Sequence, residues 1–213
     1  MAARKVATGK KNEPPAMAHL RRVDPILHTA ALPHYEEILM RSGHRRSYQQ
    51  LFEALAGSIV GQQLSTKAAD TIWERLKIAC KGSVTPEAIL KARLPTLRKA
   101  GLSAAKVKSL KELSKAVSSG QLDLTKLKKI PEEDAVVQLT AVWGIGRWTA
   151  EMFLMFALGR EDVFSPGDLG LRRSIESLYG LPKDVHVREL ERIAATWSPH
   201  RTLAALALWH HKD

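Results

Sequence analysis

Apolar residues recur at helical spacing along nearly the whole chain, and this pattern constrains the fold more than any other sequence feature. After Ser47, for example, Leu51, Leu55 and Ile59 recur every four residues, and the pattern stops near Gly61. No segment alternates apolar and polar residues for long enough to build a sheet. We therefore predict an all-α fold.

Capping residues predict where several helices begin. Ser65, Thr85 with Pro86, and Ser103 precede apolar stripes, as helix N-caps do. A length of 213 residues allows one large domain or two small lobes. We predict a basic, disordered tail over residues 1–16 and a helical core over 17–213, with a middle lobe at about 47–150.

The charge balance indicates an anionic partner. The chain has 33 Lys and Arg against 22 Asp and Glu, a net charge of +11. Residues 91–130 hold eleven Lys and Arg against only Glu112 and Asp123. A solvated helical face accounts for part of this asymmetry, but a positive surface facing a phosphate backbone explains it better.

Composition excludes several classes of protein. Cys80 is the single cysteine, which excludes a disulfide framework, a four-cysteine zinc site and a cysteine-ligated iron–sulfur cluster. No run of 18 apolar residues occurs, so we expect no membrane partner, and the start lacks the apolar region of a secretory signal. His210 and His211 diverge on a helix, so we expect no zinc site.

Residues 139–174 carry the most informative pattern. Gly144-Ile145-Gly146 separates two predicted helices, and the second helix would point unpaired backbone N–H groups at an anion such as phosphate. A plain tight turn is the alternative. Asp168 follows Pro166 and Gly167, where another helix should begin. An ordinary N-cap aspartate is the alternative there.

Together the two patterns resemble the helix-hairpin-helix DNA glycosylases. The sequences Gly144 to Ala150 and Asp168 to Leu171 are similar to the 3-methyladenine DNA glycosylase II (AlkA-type) branch, as are Gly61 to Ser65, Trp197 to Arg201, and Trp209. The resemblance implies two helical lobes around a DNA-binding cleft. It also implies an enzyme of base excision repair that flips alkylated purines, of the 3-methyladenine and 7-methylguanine type, out of duplex DNA and hydrolyses their glycosidic bonds.

The resemblance makes Asp168 the catalytic carboxylate, which would stabilise the oxocarbenium-like transition state or orient the attacking water. A purine alkylated at N3 or N7 is already cationic, so it leaves without a second acid. Relatives that also cut the strand carry a lysine at the position of Trp148. We therefore expect a monofunctional hydrolase that leaves an intact abasic site.

The resemblance also assigns the DNA contacts. Trp148, Trp209 and Met152 would line the base pocket, where indole faces attract a cationic base. Gln62 or Gln63 would be the wedge inserted into the duplex, and we favour Gln63; a solvated inter-helix loop is the alternative. The phosphate-binding set would be Gly144, Ile145, Gly146, Arg147 and Thr149.

No cofactor is expected for catalysis. The backbone carbonyls of Thr140, Val142 and Gly144 would hold a structural sodium or potassium ion at the hairpin. We predict that Trp73, Trp143 and Trp197 belong to the core.

The expected partner is damaged double-stranded DNA, bound by a monomer. The compartment would be the cytoplasm and nucleoid of a bacterium or the nucleus of a eukaryote. A non-catalytic protein that binds damaged or abasic DNA is the main alternative. A general basic DNA-binding protein is a further one, but it would need neither Asp168 nor a tryptophan-lined cleft.

Overall fold

A computed structural model describes residues 13–36 and 47–212, and none of these lies in a β-strand. The all-α prediction is therefore confirmed for the described part of the chain. Two compact units divide these residues. The first combines residues 13–36 with 166–212, and the second consists of residues 47–165. We call them the terminal unit and the central unit.

The helices, in chain order, are α1 (Pro15–Val23), α2 (Pro25–Ala31), α3 (Tyr48–Gly61), α4 (Thr66–Ala79), α5 (Pro86–Lys91), α6 (Leu94–Lys99), α7 (Ala104–Ser118), α8 (Glu132–Thr140), α9 (Arg147–Met152), α10 (Leu169–Leu178), α11 (Val187–Ala195) and α12 (Arg201–Lys212). Short 3₁₀ turns occur at Leu32–His34 and Lys126–Lys128. No helix in the described ranges is long and apolar enough to cross a membrane.

A buried polar centre organises the terminal unit, in which α12 packs against α2 and α10. The buried Trp197 donates from its indole Nε1 to Asp24 Oδ2 at 2.8 Å, and the Tyr179 hydroxyl donates to the same oxygen. Asp24 Oδ1 caps α2 by accepting from the Leu27 N–H at 2.9 Å. Burial, and then the neighbouring Asp24, raise the pKa of Tyr179. The prediction that Trp197 is a core residue is confirmed.

Side-chain caps set the helix starts of the central unit. Ser47, Ser65, Thr85 and Ser103 each accept a hydrogen bond from a backbone N–H of the helix that follows. The predicted starts of α3, α4, α5 and α7 are therefore confirmed. In the core of this unit, α3 packs against α4 and α7, and α5 packs against α7.

One predicted boundary differs in the structure, and one helix changes its geometry. Helix α1 begins at Pro15, so the predicted tail is wrong at its last two residues, since proline suits the first turn of a helix. Of the rest of that tail, residues 1–12 lie outside the described residues. After α9 the helix widens into a π-helical segment, Phe153–Ala157, closed by the Leu158 N–H on the Phe153 carbonyl at 3.1 Å.

Candidate nucleic-acid interface and active site

The turn between α8 and α9 is tight and packs closely on α7. The Ile145 N–H donates to the Val142 carbonyl at 3.1 Å. Gly144 has a φ of +88°, and a Cβ there would lie 2.0 Å from Ser109 Oγ and 2.8 Å from Ser109 Cβ. Only glycine allows both this conformation and this approach. The expected glycine turn is present.

Some of the side chains that we expected at a phosphate point into the protein. Ile145 is buried, and so is Thr149, whose Oγ1 accepts from Gln62 Nε2 at 3.4 Å. Gly144 and Gly146 are exposed. A phosphate at this turn would therefore be held by backbone N–H groups rather than by the Thr149 hydroxyl.

The two glutamines that we considered as the wedge, Gln62 and Gln63, lie in different environments. Gln62 Nε2 donates to the Gly144 carbonyl at 3.2 Å, which ties this loop to the hairpin. The Gln62 carbonyl accepts from Lys106 Nζ at 2.9 Å. Gln63 is exposed and has a φ of +57°, a conformation that costs free energy in a residue with a side chain. These contacts favour Gln63 as the inserted residue.

Arg147, which we expected at a phosphate, forms ion pairs with two carboxylates. Its two terminal nitrogens donate to Glu133 Oε1 and Oε2 at 2.9 and 2.7 Å, and its Nε donates to Glu151 Oε1 at 2.9 Å. The Glu133 hydrogen bond raises the pKa of Arg147, and Arg147 lowers the pKa of Glu133. Two carboxylates therefore compensate the charge of Arg147.

Glu151 is a site residue that our sequence analysis missed. Its side chain is buried, and its Oε2 accepts from the buried Ser165 Oγ at 2.6 Å. Ser165 lies three residues before Asp168 in the sequence, and its hydrogen bond to Glu151 lies within the central unit. The spacing of Arg147 and Glu151, four residues apart on one helix, was the available sequence signal.

Asp168 is held at the N-terminus of α10. Its Oδ1 accepts from the Leu171 N–H at 2.8 Å and from the Trp209 indole Nε1 at 3.0 Å. A Cβ at Gly170 would lie 3.0 Å from Asp168 Oδ1 and 3.3 Å from two atoms of the Trp209 indole. Asp168 is therefore an N-cap, as our alternative stated, and it is also oriented by a second donor beyond its own helix.

The tryptophans fall into different environments. Trp148 on α9 is half-exposed, with the partly buried Met152 one turn further on. Trp209 contacts Asp168, so it has an orienting contact besides any role in a base pocket. The prediction that Trp143 is a core residue is wrong. This side chain is 45% exposed, and the Lys108 Nζ lies 4.2 Å from its ring centroid.

The proposed cation ligands are neutral backbone carbonyls on the hairpin. The Val142 carbonyl accepts from the Ile145 N–H, and the Gly144 carbonyl accepts from Gln62. A carbonyl oxygen has two lone pairs, so both can still face an ion. Neutral oxygen donors suit sodium or potassium, and the ion stays a prediction. Among the described residues, no three His, Cys, Asp or Glu side chains are grouped to hold a metal.

Comparison with known proteins agrees with this architecture. Residues 56–200 match the HhH-GPD superfamily of base excision DNA repair proteins. The chain is 37% identical over 161 residues to DNA-3-methyladenine glycosylase 1 of Schizosaccharomyces pombe, covering 74% of this chain and 71% of that protein.

Two solved structures are also similar. A DNA-3-methyladenine glycosidase from Bacillus halodurans has a TM-score of 0.80 and 34% identity, over 94% of this chain and 90% of that one. The 3-methyladenine DNA glycosylase of Schizosaccharomyces pombe, in complex with abasic DNA, has a TM-score of 0.74 and 32% identity, over 92% and 95%. The chain belongs to the HhH-GPD superfamily of base excision DNA repair proteins. Within it, the chain falls in the AlkA-type branch of 3-methyladenine glycosylases.

Proposed function

We propose that this protein is a monofunctional DNA glycosylase that hydrolyses the N-glycosidic bond of alkylated purines in duplex DNA. The observation that carries the proposal is the carboxylate of Asp168, which two donors from different helices orient at the start of α10. Membership of a superfamily of base excision repair proteins gives the reaction class.

The reaction needs little from the protein beyond this carboxylate. As the bond between C1′ and the purine nitrogen breaks, its electron pair leaves with the base, which loses its positive charge. The sugar becomes oxocarbenium-like, and the Asp168 carboxylate stabilises that charge. Water then adds at C1′ and loses a proton. The products are the free base and an abasic site.

The remaining candidates support binding and base flipping. Trp148 offers a half-exposed indole face to a cationic base. Gln63 would fill the space that the extruded base leaves, because Gln62 is engaged with the hairpin. Extrusion makes the glycosidic bond accessible. Since Trp148 stands where strand-cutting relatives carry a lysine, we propose that no Schiff base forms.

We further propose that the protein acts as a monomer. One chain supplies the hairpin, Asp168 and Trp209, which supports a monomeric enzyme acting on duplex DNA. Its compartment would be the one that holds the DNA. Sedimentation of the protein with and without an abasic duplex tests the stoichiometry, and a complex with two chains for each lesion would contradict it.

Release of methylated bases tests the proposed activity. We expect the full chain to release 3-methyladenine or 7-methylguanine from methylated duplex DNA, to leave the strand intact, and to give no covalent complex on borohydride treatment. Tight binding to an abasic duplex without any release would support the alternative, a non-catalytic binder of damaged DNA. Strand cleavage with borohydride trapping would contradict the monofunctional mechanism.

A further inference from the structure

Several basic residues of the segment 91–130 bind backbone carbonyls and so serve the fold rather than the surface. Lys106 Nζ donates to the carbonyls of Val60 and Gln62, at the end of α3, and burial lowers the pKa of Lys106. Lys111 Nζ donates to the carbonyls of Leu90 and Ala92, at the end of α5. These ammonium groups satisfy carbonyls that the helices leave without partners.

Lys108 differs from the other lysines of α7 because it contacts an aromatic ring rather than an oxygen atom. Lys115 pairs with Glu112 at 2.8 Å, whereas the exposed Lys108 places its Nζ over the face of Trp143 at 4.2 Å from the ring centroid. No carboxylate within the described ranges pairs with Lys108. An indole face attracts an ammonium group without neutralising it, and the N–H groups directed away from the ring stay available as donors.

This pair lies at the hairpin. Ser109 directly follows Lys108 in α7, and Trp143 directly precedes Gly144 in the turn. A Cβ at Gly144 would collide with the Ser109 side chain. Lys108 and Trp143 are therefore the sequence neighbours of Ser109 and Gly144, which lie against each other where α7 meets the hairpin. Because Glu133 and Glu151 compensate Arg147, Lys108 supplies the uncompensated positive charge beside the turn.

We propose that Lys108, held on Trp143, is a binding site for a non-bridging oxygen of the DNA backbone. This inference rests on the proposed function, since it assumes that the hairpin faces duplex DNA. Trp143 acts as a positioning residue: it fixes the ammonium group before binding, so less side-chain freedom is lost when the phosphate arrives. This role accounts for the half-exposed Trp143 indole beside the glycine turn, which holds the Lys108 ammonium group in place.

The test is salt-dependent binding of the full chain to a duplex with a tetrahydrofuran abasic analogue. We compare Lys108→Ala, Trp143→Leu, Trp143→Phe and the double variant Lys108→Ala/Trp143→Leu. Lys129→Ala is the matched control, since it removes one exposed charge from the same basic segment. Thermal unfolding of each variant checks that it is folded.

We expect the losses of DNA affinity caused by the Lys108 and Trp143 substitutions to be coupled. Lys108→Ala and Trp143→Leu should each weaken binding about threefold to tenfold, and Lys108→Ala should lower the slope of log K against log salt by about 0.9. The double variant should bind as Lys108→Ala alone does, because the two residues act as a unit. Trp143→Phe, which keeps a ring face, should keep most of the affinity.

Two results would overturn the proposal. One is a loss of DNA affinity in Lys108→Ala that is no larger than the loss in Lys129→Ala. This result would mean that Lys108 contributes only to the general positive charge of the segment. The other is multiplication of the two single losses in the double variant, which would make Trp143 an independent DNA contact. Methylpurine release by the unsubstituted protein is measured in parallel. Release with either result means that only this inference fails, whereas coupled binding losses without release mean that only the proposed activity fails.

Discussion

Gly170 sets the space in which the candidate catalytic carboxylate sits. A Cβ at this position would come within 3.0 Å of Asp168 Oδ1 and 3.3 Å of the Trp209 indole, distances that require both groups to shift by a few tenths of an ångström. Catalysis depends on the position of the carboxylate relative to C1′, so small shifts matter. Glycine at residue 170 therefore leaves the space in which Asp168 and Trp209 make their contact.

We expect Gly170→Ala to slow base release by about tenfold to a hundredfold under single-turnover conditions, with a nearly unchanged melting temperature. The control is Gly167→Ala, since a Cβ at Gly167 meets nothing within 4 Å. Equal rates in Gly170→Ala and the unsubstituted protein would show that the Asp168 and Trp209 contact does not tune the reaction.

Glu151 joins α9 to the segment before Asp168, and its environment makes its contribution depend on pH. Burial raises the pKa of Glu151 above the ordinary value of 4.5, against the opposing effects of Ser165 and Arg147. A raised pKa means that folding favours the protonated form. The contribution of this group is therefore complete below pH 4.5 and is lost as the pH rises through its pKa in the folded protein.

Glutamine at residue 151 cannot titrate, so the variant Glu151→Gln isolates this effect. We expect the free energy of unfolding of the unsubstituted protein to exceed that of Glu151→Gln by the largest amount at acid pH. This difference should decrease toward neutral pH. Chemical denaturation over a pH series measures it, with the exposed Glu191→Gln as control. A difference that grows toward neutral pH would mean that the Arg147 pair, rather than burial, dominates.

At the scale of elements, the hairpin depends on the fit between the glycine turn and α7. Gly144→Ala would introduce both a strained φ and a collision with Ser109, whereas Gly82→Ala introduces the strained φ alone. We expect Gly144→Ala to lower the free energy of unfolding by about 3 kcal/mol or more, and Gly82→Ala by about 1 kcal/mol. Denaturant unfolding measures both.

The variant Ser109→Gly supplies a second arm of this experiment. Combined with Gly144→Ala, it removes the colliding side chain, so part of the lost stability should return even though glycine weakens α7 by about 1 kcal/mol. Strictly additive losses in the double variant would contradict the packing of α7 against the turn.

We expect lysines that cap helices to add to the net charge without contributing to DNA binding. We expect Lys111→Met to lower the free energy of unfolding by about 1–2 kcal/mol, because the last carbonyls of α5 lose their donor. The salt dependence of DNA binding should not change. A slope reduced as much as in Lys108→Ala would place Lys111 at the phosphate backbone instead.

At the scale of the whole molecule, the sequence predicted the features that depend on local chemistry. Ser and Thr caps, the glycine turn at Gly144 and the aspartate after Pro166-Gly167 are short-range signals, and all were located correctly. Features that depend on distant pairing were missed. Arg147 meets Glu133 across the hairpin, and Lys106 reaches the end of α3, and neither pairing leaves a periodic trace in the sequence.

The environments of Trp143 and of the basic segment 91–130 also depend on contacts that the sequence does not reveal. A tryptophan is usually buried, but Trp143 is 45% exposed and its ring meets the Lys108 Nζ. An excess of charge predicted a surface for DNA, but the structure assigns Lys106 and Lys111 to helix ends. The net charge of the segment therefore does not separate lysines that bind helix ends from lysines that face solvent, and that distinction needs the partners of each one.

In the proposed reaction Asp168 stabilises the developing charge on the sugar, and the variant Asp168→Asn measures that contribution. The asparagine keeps an oxygen that can cap α10 but removes the negative charge. In single-turnover reactions on methylated duplex DNA, the unsubstituted protein should release methylpurines, and Asp168→Asn should bind an abasic duplex with similar affinity but release bases at least about a thousandfold more slowly. Equal release by the two proteins would contradict the account.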